Sequence, residues 1–191
     1  MTVEVLPTAL YALSNVTPIL GRGNSSILHK TLSAHLEHKA IYITTPLIVY
    51  IRQGKQVIRD YDGVDHVIDE HHLIFVSKGV YTVSDYVTRH GTFECLLFFY
   101  DDKLISRYLA MHGNGGHGRP VAHSAVGTCV LRASEQIGRY VDSIESVYAD
   151  EEGNDALLDL KLMELLHLIA LQDKSDRFVQ ELSCGDGRST K

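Results

Sequence analysis

Eleven histidines, three cysteines and one glycine-rich run are the features of this 191-residue chain whose residue types could do chemistry. The densest histidine group is His66, His71 and His72, with Asp65, Asp69 and Glu70 beside it. A metal ion needs donors that converge, and neighbouring residues of a strand point to opposite faces, so His71 and His72 do not share an ion from a strand. No His-x-His pair occurs, the spacing that puts two imidazoles on one face of a strand. The group reads as a solvated turn, and neither metal nor cofactor is expected. The run Gly113-Asn114-Gly115-Gly116-His117-Gly118 lacks the Gly-Lys-Ser/Thr ending that brings a lysine onto phosphates, and reads as a loop rather than a nucleotide cradle. Ser124 and Cys129 stand in no nucleophile motif, and His123 beside Ser124 is adjacency in sequence only, so no catalytic residue is expected. Glu94, an acid within the apolar stretch Phe93 to Phe99, reads as either a ligand-facing or a solvent-facing group.

The elements that would carry these residues are short strands. Leu47 to Ile51 is a nearly continuous apolar run, expected of a strand buried on both faces. Arg52-Gln53-Gly54-Lys55-Gln56 supplies a polar turn, read as a hairpin into Val57-Ile58. Val64, His66 and Ile68 alternate with polar residues, and Leu73 to Val76, Tyr81 to Val87 and Phe93 to Tyr100 follow between turn signals. Six or more such strands predict a sandwich or barrel over residues 25–131. The first 24 residues, broken by Pro7, Pro18, Gly21 and Gly23, read as an N-terminal arm.

After Tyr100 the period changes from 2 to 3.6. Leu104, Ile105, Tyr108 and Leu109 share one face of a short helix near 101–111, capped by Asp101 or Asp102. Ser134 caps a second helix whose stripe is Ile137, Tyr140, Val141, Ile144, Val147 and Tyr148. A turn at Asp150 to Asp155 leads to a third, from about Asp155 to Gln172, making an αα-hairpin. In that helix Leu158, Leu162, Leu165 and Ile169 form a seam, and Leu157, Leu160, Met163, Leu166, Leu168 and Leu171 load the other faces. So wide an apolar surface implies two contacts, one to the barrel and one to a second chain; the alternative is a helix fully buried in its own core. Leu158, Leu162, Leu165, Leu166 and Ile169 are the expected dimerisation residues of a helical segment 132–182. Residues 183–191 read as a linker.

The formal charge of −6, from 18 basic and 24 acidic residues, argues against this chain lying on a phosphate backbone itself. Cys95, Cys129 and Cys184 are few and widely spaced, as in a reduced, cytoplasmic protein. No apolar run approaches the roughly 20 residues of a membrane helix, so no membrane contact is expected.

In this order the features resemble a family. A small barrel, the strand end Phe98-Phe99-Tyr100, the helix Asp101 to Leu109 and the helix containing Asp159-Leu160-Lys161-Leu162-Met163-Glu164-Leu165-Leu166 look like the N-terminal regulatory domain of AraC-type transcriptional regulators. The block Leu73-Ile74-Phe75-Val76-Ser77-Lys78-Gly79-Val80-Tyr81 is similar to one of that domain's strand-turn segments. The likeness is greatest to the activators of type III secretion genes. It departs where many members place Gly-Asp and this chain has Glu70-His71-His72. The resemblance implies an α+β fold, a small antiparallel cupin-like β-barrel followed by an αα-hairpin. It implies a homodimer through the C-terminal helices, control by an anti-activator protein, and DNA contact only through a helix-turn-helix domain beyond residue 191. The alternatives are a small-molecule sensor, with a pocket lined by some of Tyr50, Phe75, Tyr81 and Phe98, and a cupin enzyme.

Overall fold

A computed structural model describes residues 3–21, 23–112, 127–148, 155–174 and 176–186. The glycine-rich loop, Ser124, the turn at 150–154 and the end of the expected linker lie outside the described residues.

Among the described residues, eleven strands form two facing sheets that do not close into a continuous barrel. They are β1 (Glu4–Leu6), β2 (Val16–Leu20), β3 (Ser26–Leu32), β4 (Leu36–Ile43), β5 (Leu47–Gln53), β6 (Lys55–Arg59), β7 (Asp65–Ile68), β8 (His72–Val76), β9 (Gly79–Tyr86), β10 (Phe93–Phe99) and β11 (Thr128–Arg132). One sheet has the order β1-β4-β9-β6-β7, the other β11-β8-β5-β10-β3-β2, and every pairing except β1 with β4 is antiparallel. Within the expected N-terminal arm, β1 extends one sheet and β2 the other, with a 3-10 helix, Thr8–Ala12, between them.

The alternation of strand side chains explains why the second sheet is apolar on both faces. In β5, Leu47, Val49 and Ile51 face the first sheet, while Ile48 and Tyr50 face away from it into a second core. β10 divides likewise, Cys95, Leu97 and Phe99 inward and Leu96 and Phe98 outward. The outward core is closed by helices α1 (Asp102–His112), α2 (Glu135–Tyr148), α3 (Asp155–Gln172) and α4 (Arg177–Asp186). Asp101 Oδ1 accepts the Leu104 N–H at 2.7 Å and Ser134 Oγ accepts that of Ile137 at 3.3 Å, so the expected caps form.

The hairpin expected at Arg52 to Gln56 is a corner instead. β5 and β6 belong to different sheets, and the chain crosses between them at Gly54, whose φ is +92°. A turn-rich pentapeptide marks the bend but not whether the returning strand pairs with the one before it. A Cβ at Gly54 would lie 2.6 Å from the Tyr86 carbonyl oxygen. Gly54→Ala therefore adds a clash to a left-handed backbone and should cost about 1–3 kcal/mol, read as a lower urea midpoint with an unchanged slope.

Candidate functional site

Helix α3 holds the expected self-association residues, and it turns them inward. Leu158, Leu162, Leu165, Leu166 and Ile169 are between 0 and 4% exposed, in one core with Tyr50, Phe75 and Phe98 of the sheet. The seam packs within the protomer's own core, while the helix as a whole is not fully buried. Yet α3 is apolar on every side, and its opposite face is open. Leu160 is 63% and Leu171 78% exposed, and Met111 at the end of α1, which shares a groove with Leu160, is 58% exposed. Between α1 and α3 runs a groove of about 750 Å³, lined by Arg107, Met111, Leu160, Met163, Glu164 and His167 among others.

Tyrosines and histidines fix this groove. Tyr108 Oη donates to the Leu166 carbonyl at 3.3 Å, and Tyr140 Oη, from α2, donates to that of Lys161 at 2.6 Å. His112 Nε2 lies 2.9 Å from His167 Nδ1, and the Tyr108 ring packs against both imidazoles. Burial, and then the neighbouring His112, hold His167 below its ordinary value of 6.5. The folded state then binds that proton less readily than the unfolded chain, so stability falls as pH drops below about 6.5. Acid titration of the thermal midpoint should show this loss, and His167→Gln should reduce it.

A charge clasp ties the sheet to α2. Arg52 of β5 contacts Glu94 at 2.9 Å, Asp142 at 3.1 Å, and Glu145. His29 of β3 presents Nε2 to Glu94 at 3.2 Å and Nδ1 to Glu145 at 3.3 Å. Among the described residues His29, Glu94 and Glu145 form the one group whose donor atoms are close enough for a metal ion. The geometry fits a clasp better. The two ring nitrogens face different carboxylates, and the Arg52 guanidinium already lies on both of them. Glu94 is thus a half-buried ion-pair partner. The expected histidine group does not converge: His66 meets Asp60 at 3.0 Å, His71 meets Tyr50 at 3.3 Å, and His72 meets the Glu70 carbonyl at 3.1 Å.

Between the two sheets lies a cavity of about 220 Å³. Its walls include Leu6, Leu10, Val49 and Leu97, and Lys30 and Gln56 also line it. Lys30 Nζ donates to Asp85 Oδ2 at 2.6 Å, and Gln56 Nε2 to Oδ1 at 2.7 Å. Burial alone would lower the Lys30 pKa, but the Asp85 carboxylate outweighs it and holds Lys30 above its ordinary value. None of the expected pocket residues lines this cavity. Tyr50, Phe75 and Phe98 face the helices, and Tyr81 lies in the inter-sheet core with its hydroxyl on the Ser77 carbonyl at 3.1 Å.

A search of curated proteins finds no match. Among solved structures, the chain is similar to apo ToxT from Vibrio cholerae, with a TM-score of 0.55 at 13% identity over 90% of this chain and 69% of that one. It is similar also to ToxT from Vibrio cholerae O395 bound to (E)-4-(8-methylnaphthalen-1-yl)but-3-enoic acid, with a TM-score of 0.51 at 10% identity over 86% of this chain and 68% of that one. ToxT is an AraC-type regulator, and at these identities the likeness shows a shared fold. Residues 46–180 match the model of the family described as the ExsA N-terminal regulatory domain, a span from β5 through α4 that holds the helical layer, its groove and most of the clasp. The chain belongs to that family of AraC-type regulatory domains.

Proposed function

We propose that this domain is the non-enzymatic control half of a cytoplasmic activator of type III secretion genes, switched by self-association of its helical layer and by an anti-activator protein competing for that layer. DNA contact belongs to a helix-turn-helix domain outside this chain, in keeping with the formal charge of −6. Dimerisation would set two such domains on adjacent half-sites. The observation that carries this reading is α3, apolar all round, with Leu160, Leu171 and neighbouring Met111 left uncovered by the protomer's own core. Large apolar side chains this exposed on one helix face suit a protein partner. Sedimentation velocity over a concentration series should show a reversible dimer, and Leu160→Glu should give a monomer with an unchanged circular dichroism spectrum. A mass that stays the same in that variant counts against the assignment.

The inter-sheet cavity favours a second reading, a sensor of small amphipathic carboxylates. Lys30 places a cation among apolar walls, its ammonium shared with Asp85 at 2.6 Å. The aromatic butenoic acid bound by ToxT has this chemistry. At about 100 times its dissociation constant such an acid would add roughly 2.7 kcal/mol of stability. A thermal-shift series of aryl and alkyl carboxylic acids tests it, and no shift at millimolar acid would eliminate it.

A further inference from the structure

His112 and His167 stand 55 residues apart and belong to different helices, so no spacing in the sequence announces them as a pair. The packing of α1 on α3 sets His112 Nε2 2.9 Å from His167 Nδ1. The ring centroids are 4.7 Å apart with their planes inclined by 55°, and the Tyr108 ring lies 4.4 Å from the first imidazole and 5.1 Å from the second. Tyr108 is itself anchored by its hydroxyl on the Leu166 carbonyl at 3.3 Å, so both imidazoles are held against one fixed ring. Facing ring nitrogens this close share what lies between them, either a proton or a cation. His112 is exposed and His167 half-buried, so an ion reaches the pair directly from water.

We propose that His112 and His167 form a two-imidazole site for a divalent cation of the zinc class, which clamps α1 to α3. A tetrahedral zinc ion with bonds of roughly 2.0–2.1 Å needs its two nitrogens about 3.3 Å apart, so the rings must part by only about 0.4 Å. In the neutral pair one facing nitrogen carries hydrogen and the other accepts it. On binding, that hydrogen passes through water to the far nitrogen of its own ring. Both facing lone pairs then go to the ion, and each imidazole stays neutral. Imidazole suits zinc, nickel and copper, whereas magnesium and calcium take oxygen donors. At the one set of three converging donors, His29, Glu94 and Glu145, Arg52 already supplies the positive charge. The groove's own carboxylates, Asp159 and Glu164, are held by Arg107 at 3.0 Å and Lys161 at 2.8 Å, so water completes the shell at His112 and His167. Two protein ligands make a modest site, filled and emptied as the concentration of the ion changes. The Arg107–Asp159 ion pair ties the same two helices, so a loaded site adds a second tie and fixes the width of the groove between them. The site stands apart from self-association and from the anti-activator, and gives the helical layer an ion as effector.

The test uses the whole chain, untagged and carrying Cys184→Ser; Cys95 and Cys129 are buried. Calorimetric titration with ZnCl2 should find one ion per chain in its tightest step. At about ten times the dissociation constant the thermal midpoint should rise by about 3–6 °C, and MgCl2 at the same concentration should leave it unchanged. His112→Gln and His167→Gln should each raise the zinc dissociation constant about tenfold or more, and the two together little further, because one imidazole cannot chelate. Circular dichroism checks that each variant keeps its fold. With Cu2+ in place of zinc, electron paramagnetic resonance should show coupling to two ring nitrogens in the parent and to fewer in either variant. An affinity that neither substitution changes, or a copper spectrum that both leave intact, would put the ion on other side chains and overturn the site. No binding up to millimolar zinc, or an equal response to magnesium, would overturn it too. None of these outcomes bears on self-association, which sedimentation reads separately.

Discussion

Asp85→Ala should lower the unfolding free energy by about 3–5 kcal/mol, a large share of the roughly 5–15 kcal/mol that holds a domain folded. Asp85 is fully buried, and both its oxygens are used, one by Lys30 and one by Gln56. Truncating it leaves the buried Lys30 ammonium, beside the Phe93 ring, without its counter-charge, and desolvation of that ion is the cost. The sign of the pH response follows. With Asp85 present, Lys30 keeps its proton above 10.5, so its contribution is full at neutral pH and is lost as the pH rises past that value. A double replacement, Lys30→Met with Asp85→Asn, removes both charges at similar volume and keeps an acceptor for Gln56, so it should recover most of the loss. Urea unfolding of the three proteins decides the matter: an Asp85→Ala cost below about 1 kcal/mol would mean that the ion pair is solvated rather than buried.

The same pair shows where sequence reading stops. Lys30 alternates with Leu28 and Leu32 in β3, a period-2 signal that a cation sits on an inward face. Nothing local announces Asp85, 55 residues on, whose strand lies in the other sheet. The clasp is similar. Glu94 is visible as an acid in an apolar strand, while its partners Arg52 and His29 come from β5 and β3, and the second carboxylate they hold, Glu145, from a helix far along the chain. Regular periodicity was legible: the buried run Leu47 to Ile51 is β5, the stripe from Ile137 to Tyr148 is α2, and Asp155 to Gln172 is α3. Periodicity says that a face is buried and not against what. Tyr50, Phe75 and Phe98 therefore fit a barrel pocket by type, yet by alternation they belong to the face beneath the helices. α3 was undecidable for the same reason, because a helix apolar all round has no preferred side until a sheet is laid against it.

Leu165→Glu combined with Ile169→Glu should unfold the helical layer rather than yield a folded monomer. Leu165 is 1% exposed and Ile169 is fully buried, both in the core that the helices share with the outer face of the second sheet. Each substitution removes about 2–5 kcal/mol of packing and adds the cost of an unpaired buried carboxylate, so the pair together exceeds any ordinary stability margin. Near-ultraviolet dichroism should collapse, and dye binding should report exposed apolar surface. By contrast Leu160→Glu and Leu171→Glu, on the opposite side of the same helix, change residues that are already solvated and should alter stability by about 0.5 kcal/mol or less. The two pairs thus separate folding from association on one helix. If the inward pair gave a native-like monomer, α3 would have to leave the sheet in the dimer, with the seam itself as the interface. If both pairs behave as expected, the inner face holds the domain together and the outer face carries its signal.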